Sequence, residues 1–107
     1  MRTIFGFRQL EALAKGLDLI DLYLLEYILY IYAEDKNKIK RQDKLFSKID
    51  YMDLMKELPI LGLNNKNSVK TRMFNLEKKN LIFRYCLRKK GVHTLVMPNT
   101  QEIFKIV

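Results

Sequence analysis

The sequence predicts an α+β chain, mainly α, in which helices lead to a C-terminal β-hairpin and a short strand stands before the second of two closely linked helices. Three observations carry this. Apolar residues recur at helical spacing in the segments 7–15, 19–34 and 67–79. Two β-rich runs, Leu81–Leu87 and Val92–Met97, flank Arg88-Lys89-Lys90-Gly91. At 107 residues, 49% of them hydrophobic and 30% charged, the chain has the size and composition of one domain spanning residues 1–107, able to bury a core without disulfide or metal.

The elements follow in order. Phe7, Leu10, Leu13 and Ala14 share one side of a short first helix, Phe7–Lys15, which stops at Gly16, a residue suited to the left-handed C-terminal position. Asp18 is placed to accept from the first free amides of a second helix, about Leu19–Glu34, and Asp21 adds negative charge at its positive end. The apolar arc of that helix, Leu22, Leu25, Ile28 and Leu29 among others, is wide enough for a central helix covered on more than one side. Asp35–Lys44 (DKNKIKRQDK) is polar, charged and almost without apolar residues, and is expected to be a loop or frayed extension.

Leu45–Ile49 then reads as a short strand, and Asp50 as the cap of a helix over about Tyr51–Leu58 that Pro59 discourages from continuing. Ile60–Asn65 is a turn. Asn67 or Ser68 caps a further helix reaching about Lys79, with Val69, Met73 and Leu76 on its inner side, and Asn80 ends it. The hairpin follows. Beyond Pro98, Asn99–Val107 is open to helix or strand, with Asn99 and Glu102 favouring helix initiation. Helix, strand, helix, turn, helix and hairpin is the element order of a winged helix-turn-helix.

Charge directs the functional reading. Twenty Lys and Arg against twelve Asp and Glu give +8, a surface attractive to a polyanion. Between Lys66 and Lys90 stand nine basic residues and a single acid, Glu77. With Val69, Met73 and Leu76 turned inward, Lys66, Asn67, Ser68, Lys70, Thr71 and Asn75 point outward from the early turns. Such side chains suit base edges and phosphates of double-stranded DNA, with Ser68, Lys70 and Thr71 nearest the bases and Arg72 at the flank holding a phosphate. Arg88, Lys89 and Lys90 at the hairpin tip would follow the backbone or enter the minor groove. Lys78, Lys79 and the Lys36–Lys48 region read as a solvated face.

Other classes find less support. One cysteine and one histidine exclude an internal disulfide and a zinc site built from that pair, so no metal or other cofactor is expected. No phosphate loop, nucleophile motif or acidic cluster appears, so the chain is expected not to be an enzyme and to have no catalytic residues. Asp18, Asp21 and Glu26 interrupt the apolar stretch Leu17–Ala33, which argues against a membrane span, and no signal-like run follows Arg2, so a cytoplasmic setting is expected. Attachment of the basic face to anionic membrane is a distant alternative. Tyr23, Tyr27 and Tyr30 form a stripe that could pack within the chain or make a homodimer; the second function class, a winged-helix protein-interaction module, would use it. Phe74 and Phe83 are expected in the core, His93 as a partly exposed strand residue and Cys86 as a small buried apolar one.

The chain also resembles a family, the winged-helix DNA-binding domains near the N-terminus of phage replication initiator or replisome-organiser proteins of bacteria. The residues carrying the likeness are Phe5-Gly6-Phe7-Arg8-Gln9, Gly16–Asp21, Glu57-Leu58-Pro59-Ile60-Leu61, and Lys66–Lys79 with Asn80-Leu81-Ile82. The resemblance implies a phage or mobile-element protein that binds a replication origin or an operator. It would act in DNA replication initiation or transcriptional regulation, with replication proteins as partners through further domains that these residues do not include.

Overall fold

In the computed structural model, which describes all 107 residues, three helices start where a side chain satisfies first-turn amides. Helix α2 (Leu19–Glu34) opens on a reciprocal capping box: the Asp21 amide donates to the Asp18 carboxylate at 2.9 Å and the Asp18 amide to Asp21 at 3.1 Å. Before it stands the short α1 (Gln9–Ala14), and after it α3 (Tyr51–Glu57), where Asp50 Oδ1 accepts from the Met52 and Asp53 amides. The chain leaves α3 through a 3-10 turn at Pro59–Leu61, reverses at Gly62 with φ 67°, and enters α4 (Lys66–Lys78). Here Asn65 is the cap, its Oδ1 accepting from the Ser68 amide at 2.9 Å, so the helix begins earlier than a cap at Asn67 or Ser68 would place it.

Four strands form one antiparallel sheet, β3 (Ile39–Arg41), β4 (Lys44–Ile49), β5 (Ile82–Arg88) and β6 (Val92–Pro98), in the order β3-β4-β6-β5. Numbering is in chain order after a two-stranded ribbon, β1 (Thr3–Ile4) and β2 (Phe7–Arg8), joined at Phe5-Gly6. β6 pairs with β4 over Thr94–Val96 and with β5 along its whole length, from Ile82↔Pro98 to Arg88↔Val92. The core lies between α2, α4 and the sheet: Leu24, Leu25, Ile28, Val69, Met73 and Val96 are fully buried. The C-terminal segment takes the helical of the two forms left open, as α5 (Thr100–Ile103) and a 3-10 turn, which bury Ile103 and Ile106.

This corrects the expected architecture. A mainly α winged helix-turn-helix needs a hairpin and one short strand, whereas the chain has five helices and six strands, about 49% helix and 25% strand. One of its two antiparallel sheets is curled into a half-barrel. The hairpin is built into that sheet. The ribbon β1–β2 and the strand β3 are not expected from the sequence, the first because each strand has only two residues, the second because its turn lacks glycine. Gln42 and Asp43 hold φ 52° and 62° between β3 and β4, the mirror-image two-residue turn that Asn-Gly usually marks. Two of the three residues of β3, Lys40 and Arg41, are charged, which suits an edge strand that must not recruit another. Likewise Phe7, expected to begin the first helix, is a buried strand residue, and α1 starts at Gln9.

The strained turn gives a first expected result. Replacing Gln42-Asp43 by Asn-Gly should raise the unfolding free energy by about 0.5–1 kcal/mol, read from urea denaturation, because the native φ values then carry little steric penalty.

Candidate nucleic-acid interface

Helix α4 presents two sides. Val69, Met73 and Leu76 are buried completely, while Lys66, Asn67, Lys70, Thr71, Phe74 and Asn75 are exposed and Ser68 is half-buried. No acidic residue occupies its first turn, and Lys66 stands there as the first helical residue. A cation at the positive end of a helix costs a few tenths of a kcal/mol. That placement works against folding and favours an outside anion. The Thr71 hydroxyl donates to the Asn67 carbonyl at 3.0 Å and Ser68 Oγ lies 3.2 Å from Asn65 Oδ1, which leaves both hydroxyl oxygens free to accept.

Between α4 and the hairpin runs a groove of about 680 Å³, walled by Lys70, Thr71 and Phe74 on one side and Arg88 and Thr94 on the other. Beyond Lys70 lies a cleft of about 720 Å³, with Lys48, Lys66, Tyr27 and His93 at its walls and Asp50 and Asp53 at its α3 end. At the hairpin tip Lys89, Lys90 and Gly91 are exposed, Lys90 and Gly91 with φ 53° and 108°. None of Lys48, Lys66, Lys70, Arg88, Lys89 and Lys90 takes part in an ion pair; those pairs belong to Arg8, Lys15, Arg72, Arg84 and Lys105.

Arg72 is engaged elsewhere. Its Nη1 donates to Asp18 at 2.6 Å and to Asp21 at 3.2 Å, tying α4 to the first turn of α2. Burial opposes ionisation of Asp18, but hydrogen bonds from Arg72 and the Asp21 amide, with the guanidinium charge, outweigh it and hold the carboxyl below its ordinary range. Two other cations of the stretch are also occupied: Lys79 Nζ donates to the Gly16 carbonyl at 2.8 Å, and Arg84 contacts Glu77 at 3.1 Å.

Phe74 and Cys86 correct the sequence reading. Phe74 is half exposed on the groove wall and not in the core, and Cys86 is exposed on β5. Lys48, read as part of a solvated face, lines the cleft. The tyrosine stripe has three different surroundings: the Phe5 and Tyr23 rings pack at a tilt with centroids 4.8 Å apart, Tyr27 faces the cleft, and Tyr30 is largely exposed. No three His, Cys, Asp or Glu side chains converge as metal ligands would, and no helix is long and apolar enough to cross a membrane. No family model, curated protein or solved structure matches the chain.

Proposed function

We propose that the chain binds duplex DNA through the outward side of α4 and the β5–β6 hairpin tip, as a binding protein with no catalytic chemistry of its own. The observation that carries this reading is the groove in which Lys70 and Thr71 of α4 face Arg88 of β5, with Lys66, Lys89 and Lys90 exposed and without an internal counter-charge. Lys70 and Asn67 are suited to guanine and adenine edges, and the oxygens of Ser68 and Thr71 to amino groups on bases. Sequence selectivity belongs to those four residues and affinity to Lys66, Arg88, Lys89 and Lys90. Arg72 is left to the fold. A role in replication initiation or transcriptional control of a phage or mobile element belongs to the same proposal, and the residues of the family resemblance alone support it.

The test is the salt dependence of binding to a fluorescent duplex. Four to six neutralised phosphates correspond to a log–log slope of about −4 to −5. A slope near zero, or no anisotropy change at low salt, contradicts the reading.

A further inference from the structure

The groove and the cleft meet. Lys70, Tyr51, Val92 and Thr94 line both, so the two form one trough running from Lys48 to Arg88. Each half, at about 680 and 720 Å³, has the volume of a site for a nucleotide-sized ligand. Four cations without ion-pair partners, Lys48, Lys66, Lys70 and Arg88, lie along it. Of the facing acids, Glu77 is paired with Arg84 and Asp50 accepts two amides of α3, leaving Asp53 at one end.

Phe74 is the unexplained element. The phenyl ring stays 50% exposed on a helix that buries its other large apolar residues, and it stands on the groove wall beside Lys70 and Thr71. Lys78 Nζ lies 5.5 Å from its centroid. In a duplex the bases present only their edges to a groove-bound helix, so the face of this ring has no partner there; an unstacked base offers one. In the cleft the Tyr27 hydroxyl makes no hydrogen bond within the chain; burial, followed by the charges of Glu57, Asp53 and Asp50, raises its pKa and keeps it a donor.

We propose that this trough also binds a single strand of DNA, with Phe74 stacking on an unpaired base while Lys48, Lys66, Lys70 and Arg88 follow the phosphates. This activity goes beyond duplex binding and stands or falls separately from it.

The experiment titrates the full chain with labelled oligo(dT) of about ten nucleotides and, in parallel, with a duplex. Phe74→Ala is expected to weaken oligo(dT) binding about tenfold and duplex binding by a smaller factor, and Phe74→Trp to restore the oligo(dT) affinity. Far-UV circular dichroism checks the helix content of each variant. Lys48→Ala, at an exposed position on β4, is expected to weaken oligo(dT) binding and lower its salt slope by about one half to one. Undetectable oligo(dT) binding at low salt, or unchanged affinity in Phe74→Ala, overturns the proposal whatever the duplex does. Retention of oligo(dT) binding with no duplex binding upholds it and removes the duplex reading instead.

Discussion

Lys66→Glu combined with Lys70→Glu is expected to weaken duplex binding about a hundredfold at moderate salt and to flatten its salt dependence by about two units. Each substitution removes a cation that no internal carboxylate uses and sets a like charge against the phosphates. Folding should not suffer. Lys66 is the first residue of α4, where glutamate interacts favourably with the helix dipole, so the variant should match or slightly exceed the parent in urea. Stability and binding therefore move independently, which a damaged fold would not allow. Fluorescence anisotropy beside urea denaturation reads both. Loss of affinity smaller than about threefold would remove α4 from the interface.

Arg72→Ala should behave in the opposite way, losing about 2–3 kcal/mol of stability at pH 7 while the folded protein keeps duplex affinity within about threefold. The guanidinium is the sole counter-charge contacting Asp18 and Asp21, and the Asp21 side chain is only 7% exposed. Without it, two carboxylates of one capping box face each other, one of them buried. The full penalty of an unpaired buried charge is moderated because the Asp18 side chain is 54% exposed.

pH separates this from simple lost packing. The folded-state pKa of Asp18 is depressed, so its contribution is complete above the unfolded value near ~4 and is lost as pH falls through the folded value. Acid therefore weakens the parent more than the variant, and the stability gap between them should narrow below about pH 4. A gap constant from pH 7 into that range would mean that packing, not charge, is what Arg72 supplies.

Lys66, Lys70 and Arg72, all basic and all on α4, show where local pattern suffices and where it does not. That Val69, Met73 and Leu76 face inward is fixed by spacing alone, and it leaves Lys66 and Lys70 outside. Whether an outward arginine meets solvent or an aspartate 54 residues away depends on how α2 and α4 pack, which spacing does not contain. Capping is similar. Asp18 is the sole cap candidate in its neighbourhood, so α2 was readable, whereas Asn64, Asn65, Asn67 and Ser68 all suit the start of α4 and only the turn at Gly62 selects Asn65.

The sheet is hidden from local pattern for a parallel reason. Charged β3 and the turn at Gln42-Asp43 carry neither alternation nor a glycine, and the partner that makes β3 a strand is supplied by β4 in the sheet. Residue type alone favours the core for Phe74, whereas one step of about 100° from buried Met73 turns it away. The trough was invisible because Lys48, Tyr27 and His93 reach it from three separate elements.

The most direct measurement of the central claim is the map of backbone amide chemical shifts as a short duplex is added to the isotopically labelled chain. Perturbations concentrated at Lys66–Asn75 and Arg88–Gly91, fading as salt is raised, are the predicted result. Shifts confined to α1 and the C-terminal turn, or none at low salt, would contradict it.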